Sequence, residues 1–212
     1  MDNRVVVLGS HKGLGYQCVK ALLAHKQIDS VLGLSRQDSG DFSLNPKYKF
    51  GSFDFTKVYD DVASFDSLIS ALEEFKPTAL IYCAGGGPHG SYFDKAWKDH
   101  AWALKLNFLF PAKLIWHFAK PPYLKVFAYV GSAIAESEDG DPDGASYAAA
   151  KWGMKGLIKS LKASNSMVRF TVFSPGYMDT ELVPQGAKPR QAGGQLQDPS
   201  LVAQEIVQQL GL

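Results

Sequence analysis

Cysteine is scarce in this chain: Cys18 and Cys83 are the two among 212 residues, in neither a C-x-x-C nor a zinc-like spacing. That argues against a disulfide framework or a structural zinc, and two free thiols fit a cytoplasmic protein. Net charge is almost absent too, at +1, so nothing electrostatic favours nucleic acid or an acidic membrane as partner. The five histidines form no H-x-x-x-H pair, and the acidic stretch 136–144 lacks an EF-hand pattern, so no metal is expected. Long apolar runs are missing as well: the run 5–8 is too short for a signal peptide or a membrane span. There is no internal repeat, linker or low-complexity tail. What is present is 46% hydrophobic residues, enough for one domain over 1–212 with a sizeable core.

Apolar runs and helical stretches alternate along the chain. Strands are expected near 4–8, 31–35, 48–52, 79–83, 124–130 and 169–173. Helices are expected near 14–26, 64–75, 94–119 (interrupted around Pro111), 145–163 and 199–210, the last opened by Asp198 as N-cap with Pro199 behind it. This order predicts an α/β fold: a doubly wound, mainly parallel sheet of about six strands with helices on both faces.

Four segments carry candidate chemistry. After the first strand come Gly9, Ser10, His11, Lys12, Gly13, Leu14 and Gly15, then a helix. Glycines let the main chain turn sharply toward a pyrophosphate, whose charge meets the free N–H groups of the helix start. A turn without a ligand has the same composition. Residues 79–87 read as a buried strand ending in Cys83, Ala84, Gly85, Gly86 and Gly87, at the strand end where ligands sit in doubly wound sheets. Residues 125–132 form another strand that delivers Ser132 to that edge, although a lone serine is more often a cap or turn residue. Tyr147 and Lys151 stand four apart in a helical segment, on one face with Cβ atoms roughly 6 Å apart. An ammonium beside a phenol favours the phenolate, by about 3 kcal/mol at an effective dielectric near 20. That would lower the tyrosine pKa by about two units from ~10. Such a pair also occurs in helices that catalyse nothing.

Taken in order, these segments resemble the short-chain dehydrogenase/reductase family over residues 4 to about 180. Gly9, Gly13 and Gly15 fit its T-G-x-x-x-G-x-G, with Leu8 in place of the threonine; Cys83, Ala84 and Gly85 fit N-A-G, with cysteine in place of asparagine. Asn107 corresponds to the helix asparagine that holds a proton-relay water in many members. Ser132 and Tyr147-x-x-x-Lys151 match the active-site signature. Pro175, Gly176, Met178 and Thr180 match the P-G-x-x-x-T segment that contacts nicotinamide and phosphates.

The resemblance implies a Rossmann fold and a nicotinamide cofactor. In the family, a carboxylate at the end of the second strand selects NAD. Here Ser35 and Arg36 stand there, and a guanidinium suits the 2′-phosphate of NADP. Lys12 supplies a second cation, so NADP(H) is expected over NAD(H). Asp54 and Phe55 resemble the pair that meets the adenine ring. Tyr147 is implied as proton donor to a substrate carbonyl, Ser132 as its orienting partner, Lys151 as ribose ligand, and Asn107 as holder of the relay water. The expected partner is a small carbonyl or alcohol substrate, with Phe93, Tyr177, Leu182 and Val183 as candidate lining. A homodimer through helices near 107–119 and 145–163 is possible, where Ala148, Ala149, Gly153 and Gly156 permit close packing. Segment 181–197 is a short substrate loop, and the family's seventh strand is missing. A pteridine-type reductase, an epimerase or a non-catalytic NADP(H)-sensing regulator are the alternatives.

Overall fold

The structure is a computed structural model and describes residues 2–118, 122–164, 167–183, 185, 186, 190 and 196–212. Six strands make one parallel sheet in the order β3-β2-β1-β4-β5-β6: β1 Arg4–Leu8, β2 Ser30–Ser35, β3 Tyr48–Ser52, β4 Ala79–Tyr82, β5 Val126–Val130 and β6 Arg169–Phe173. The central strands are apolar at nearly every position because both faces are covered. Val5 and Val7 face one layer, where α1 (Gly13–Ala24) lies against the helix Pro199–Gln209; Val6 and Leu8 face the other. That second layer holds α2 (Phe55–Asp60), α3 (Val62–Phe75), α4 (Trp97–Leu104), α5 (Phe110–Phe118) and α6 (Ala145–Lys162), so Pro199–Gln209 is α7. Helix α3 shows how the cover is made: Phe65, Leu68, Ile69, Leu72 and Phe75 form its buried stripe at helical spacing. Each such side chain contributes about 1.5–3 kcal/mol when fully buried.

The expected elements are present within a few residues, with three differences. A helix over 55–60 was not anticipated. It exists because the Asp54 carboxylate accepts from the backbone of Thr56 (3.2 Å) and Lys57 (3.5 Å), an N-cap placed ahead of Asp61, which caps α3. The long helix expected over 94–119 begins at Trp97 after a 3-10 turn, Tyr92–Asp94, and residue 119 lies outside the described residues. Its irregularity precedes Pro111: Lys105–Leu109 is a π turn in which the Phe110 N–H reaches back five residues to the Lys105 carbonyl. The α7 opening is as expected, with Asp198 accepting from Ser200 N at 2.8 Å and Pro199 in the first turn. The sheet ends at β6, whose far edge carries no further strand among the described residues.

Candidate active site

Strand order reverses between β1 and β4, and the loops that follow these two strands meet at their carboxyl ends. Gly9 sits at φ +92° with its N–H on the Leu34 carbonyl at 2.7 Å, and a Cβ on it would lie 2.6 Å from Ala84 N. A Cβ on Gly15 would run into the Gly9 carbonyl and stand 3.2 Å from Cys83 Cβ. Cys83 and Ala84 both donate backbone N–H groups to the Leu8 carbonyl, at 2.8 and 2.9 Å. The glycine turn and the β4 crossover are therefore packed backbone against backbone, with Leu14 buried at the start of α1. Two buried polar atoms here have no hydrogen-bond partner: His11 Nδ1 in the turn and Ser39 Oγ in the loop after β2. A bare-backbone cradle at a helix start is the kind of place where a pyrophosphate fits.

At the β2 end, Ser10 and Ser35 are buried with hydroxyls 3.5 Å apart, and Ser35 donates to the Gln37 carbonyl at 2.6 Å. Both hydroxyls brace the turn from below. Arg36 is exposed and close enough to Asp54 to act on its charge. Partial burial works against ionising Asp54, but hydrogen bonds from Thr56 and the Lys57 backbone, with Arg36 beyond them, hold its carboxyl below the usual range. The Phe55 ring is buried and stacked on Phe110 (5.1 Å between centroids, 15°), so only its backbone is left to meet an adenine. The Lys12 ammonium is not open either: it forms an ion pair with Glu181.

Ser132 follows β5, and its Oγ accepts from Ile134 N at 3.4 Å. Tyr147 stands one turn before Lys151 on α6, and the Lys151 Nζ lies 5.3 Å from the Tyr147 ring centre. Lys151 is buried and donates to the Val130 carbonyl at 2.7 Å. The expected depression of the phenol does not occur in this structure. Burial pushes Tyr147 up to about 12, with a hydrogen bond from Ser132 pulling the other way, and burial pushes Lys151 down to about 7. Desolvation is the largest cause in both groups. Ser132 lies close enough to Tyr147 to act on its ionisation.

Asn107 is fully buried in the π turn. Its amide donates to Gly86 O and Ala103 O, both at 2.7 Å, while Oδ1 accepts from Gly86 N at 3.3 Å. One side-chain N–H and Oδ1 thus hold Gly86 of the crossover, while the other N–H is taken by Ala103 O on α4. A Cβ on Gly85 would stand 3.0 Å from Asn107 Oδ1 and 3.6 Å from Lys151 Nζ, so that glycine lets the two approach.

The segment after β6 packs against the loop after β5 and the glycine turn. Pro175 O accepts from Ala133 N at 2.9 Å, and Gly176 N donates to Gln197 Oε1 at 3.1 Å. Met178 bridges Gln197 in a single parallel pairing, and Thr180 lies against Gly13, 3.5 Å from where a Cβ would be. Arg190 binds Asp179 at 2.7 Å and the carbonyls of Thr180 and Val183 at 2.8 and 3.0 Å. Of the loop expected over 181–197, residues 184, 187–189 and 191–195 lie outside the described residues. Leu182 is placed 3.9 Å and the Trp102 indole 2.8 Å from a Cβ position on Gly86, Tyr177 is half-exposed, and Phe93 stands in solvent. Trp102, His11, Gln197, Arg190 and Glu181 were not singled out from the sequence. Only His11, inside the glycine turn, had a local signal.

The model of the short chain dehydrogenase family matches residues 3–191. This chain belongs to that family. Its members are oxidoreductases that use NAD or NADP. Among solved structures, a 4-hydroxyisoleucine dehydrogenase complexed with NADH is similar, at 19% identity and a TM-score of 0.84 over 99% of this chain and 91% of that one. An alcohol dehydrogenase from the archaeon Thermococcus sibiricus complexed with 5-hydroxy-NADP gives 20% identity and 0.80 over 100% and 92%. A short chain dehydrogenase family protein from Francisella tularensis gives 20% and 0.78 over 98% and 90%. No curated protein matches the chain significantly by sequence. Among the described residues, no helix is long and apolar enough to cross a membrane, and no group of three His, Cys, Asp or Glu is gathered as for a metal.

Proposed function

We propose that the protein is an NADP(H)-dependent carbonyl reductase or alcohol dehydrogenase with Tyr147 as its acid/base. The observation that carries this reading is the meeting of Ser132, Tyr147 and Lys151 at the strand edge that also holds the glycine cradle. The cofactor would lie along Gly9, Gly13 and Gly15 and the Cys83, Ala84 and Gly85 crossover, with Pro175, Gly176, Met178 and Thr180 at its nicotinamide end. The chemistry it supplies is hydride transfer to or from the substrate carbon.

The chain's own residues hold and protonate. Tyr147 donates its phenolic proton to the substrate oxygen in reduction; a pKa near 12 keeps that proton in place at neutral pH. Ser132 hydrogen-bonds both Tyr147 and that oxygen and so orients the carbonyl. Lys151 binds the nicotinamide ribose, and its charge stabilises the phenolate left after transfer until a proton from solvent restores the phenol. Asn107 holds the glycine crossover against which the substrate packs. Trp102, Leu182 and Tyr177 give the cleft an apolar wall, suited to a small carbonyl compound with an apolar body. Arg36 and Lys12 are the cations for a 2′-phosphate, with no carboxylate at the β2 end to repel it. Relatives of this fold are complexed with NADH and with an NADP derivative, so the preference rests on these two side chains. Free thiols favour a cytoplasmic location, and the exposed Leu109, Trp116 and Trp152 favour a homodimer through α5 and α6.

Mixing the protein with NADPH and a panel of aldehydes, ketones and quinones, while following the loss of reduced-nicotinamide absorbance, tests the reading. Turnover that Tyr147→Phe abolishes is expected. NADPH binding with no oxidation by any compound would make the protein a sensor instead. Arg36→Asp should weaken NADPH far more than NADH, and an unchanged ratio would remove the NADP assignment.

A further inference from the structure

Two consecutive carbonyls of the α4–α5 connection lack their usual helical donors. The π turn takes the Phe110 N–H back to Lys105, leaving the Leu106 carbonyl open, and Pro111 has no N–H for the Asn107 carbonyl. Two tyrosines on adjacent strands fill these places. The Tyr82 hydroxyl donates to Leu106 O and the Tyr129 hydroxyl to Asn107 O, each at 2.6 Å. They are register partners on β4 and β5, their rings stack at 5.8 Å and 14°, and both are fully buried. Such hydroxyls would be costly to bury without acceptors, and such carbonyls without donors.

The Tyr129 ring is thereby pinned at both ends, and its face meets Lys151: Nζ lies 4.6 Å from the ring centre. Among the described residues the Lys151 ammonium has one hydrogen-bond partner, the Val130 carbonyl, for its three donors. The ionisable groups that face it are Tyr129 from β5, Cys83 from the end of β4 and Tyr147 from its own helix. None of these is a carboxylate. Stabilisation of the charge falls to the Val130 carbonyl and an aromatic quadrupole.

We infer that Tyr129 is a positioning residue with two separable parts: its hydroxyl locks the π turn, and its ring keeps the Lys151 ammonium charged beside Tyr147. The inference rests on the proposed roles of Lys151 and Tyr147. It also assigns the Asn107 backbone carbonyl to the Tyr129 phenol. Within the dry interior a cation–ring contact of this kind is worth enough to move a titration midpoint by about one pH unit.

The test reads Lys151 directly, without cofactor or substrate, from the Cε–Hε resonances of 13C-lysine protein against pH, using Lys151→Met for assignment. Tyr129→Leu should lower the midpoint from near 7 by about one unit. Tyr129→Phe, which keeps the ring, should hold it within about 0.3 unit while lowering the melting temperature, because Asn107 O loses its donor. Should Tyr129→Leu not fold, phenylalanines bearing one to three fluorines at position 129 preserve the shape and weaken the ring face. The midpoint should then fall stepwise with fluorination. An unchanged midpoint in Tyr129→Leu or across the fluorinated series overturns the inference, as does an equal drop in Tyr129→Phe. In turnover assays the alkaline limb should move with the midpoint. Inactivity of the wild type toward every substrate would count against the proposed function and leave the spectroscopic result standing.

Discussion

Lys12 of the glycine turn is ion-paired with Glu181, which follows Thr180 across the mouth of the cleft. The side chains are 61% and 75% exposed, so the pair adds little to stability. Its consequence is competition: the cation proposed for a 2′-phosphate is already occupied. Glu181→Gln should therefore tighten NADPH about two- to five-fold and leave NADH nearly unchanged, with the difference fading in molar salt. Fluorescence titration with both cofactors checks this. Equal shifts for the two would mean that Lys12 does not reach the phosphate.

Gly15 and Gly140 predict opposite outcomes for the same substitution. Gly15→Ala places a methyl against the Gly9 carbonyl and Cys83, a collision between backbones that cannot relax cheaply. It should cost about 1–3 kcal/mol in urea unfolding and abolish dinucleotide binding. Gly140→Ala meets nothing within 4 Å and needs no positive φ, so it should be neutral or slightly stabilising. A Gly15→Ala variant with wild-type stability and binding would contradict the close packing described for the turn.

Lys151 links stability to pH with a definite sign. Its folded pKa near 7 lies below the unfolded value of about 10.4, so the folded protein binds fewer protons between them. The penalty for burying the ammonium is complete below pH 7 and gone above about 10.4. Lys151→Met should raise the melting temperature most at pH 6–7, and its advantage should shrink steadily toward pH 10, apart from the small constant loss of the Val130 contact. Differential scanning calorimetry across that range checks it; a pH-independent difference would mean that Lys151 is not titrating there.

The sheet was legible because parallel strands covered on both faces read as apolar runs, as Val5–Leu8 and Ala79–Tyr82 do. The glycine turn and the Tyr147–Lys151 pair were legible because their meaning is local spacing. Contacts made by folding were not. Lys12 and Glu181 are separated by 169 positions, and nothing near Lys12 announces its partner. Asp54 was read as a nucleotide contact when its carboxylate also starts a helix, a role encoded by the same residue type. The direction of the Tyr147 and Lys151 shifts depended on burial, which spacing alone does not measure. The π turn was sensed only as an irregularity near Pro111, since hydrophobic period does not record which carbonyl an N–H chooses.

That turn has a bearing on how the chain tolerates insertion and deletion. Each residue advances a helix by about 100°, so the extra residue in Lys105–Leu109 resets the rotational phase of everything after it. Loss of any one residue there would restore unbroken winding and swing Leu114 and Phe118 around the axis, off the sheet they now cover. Length in this stretch is held by the core downstream as firmly as by the cleft beside it.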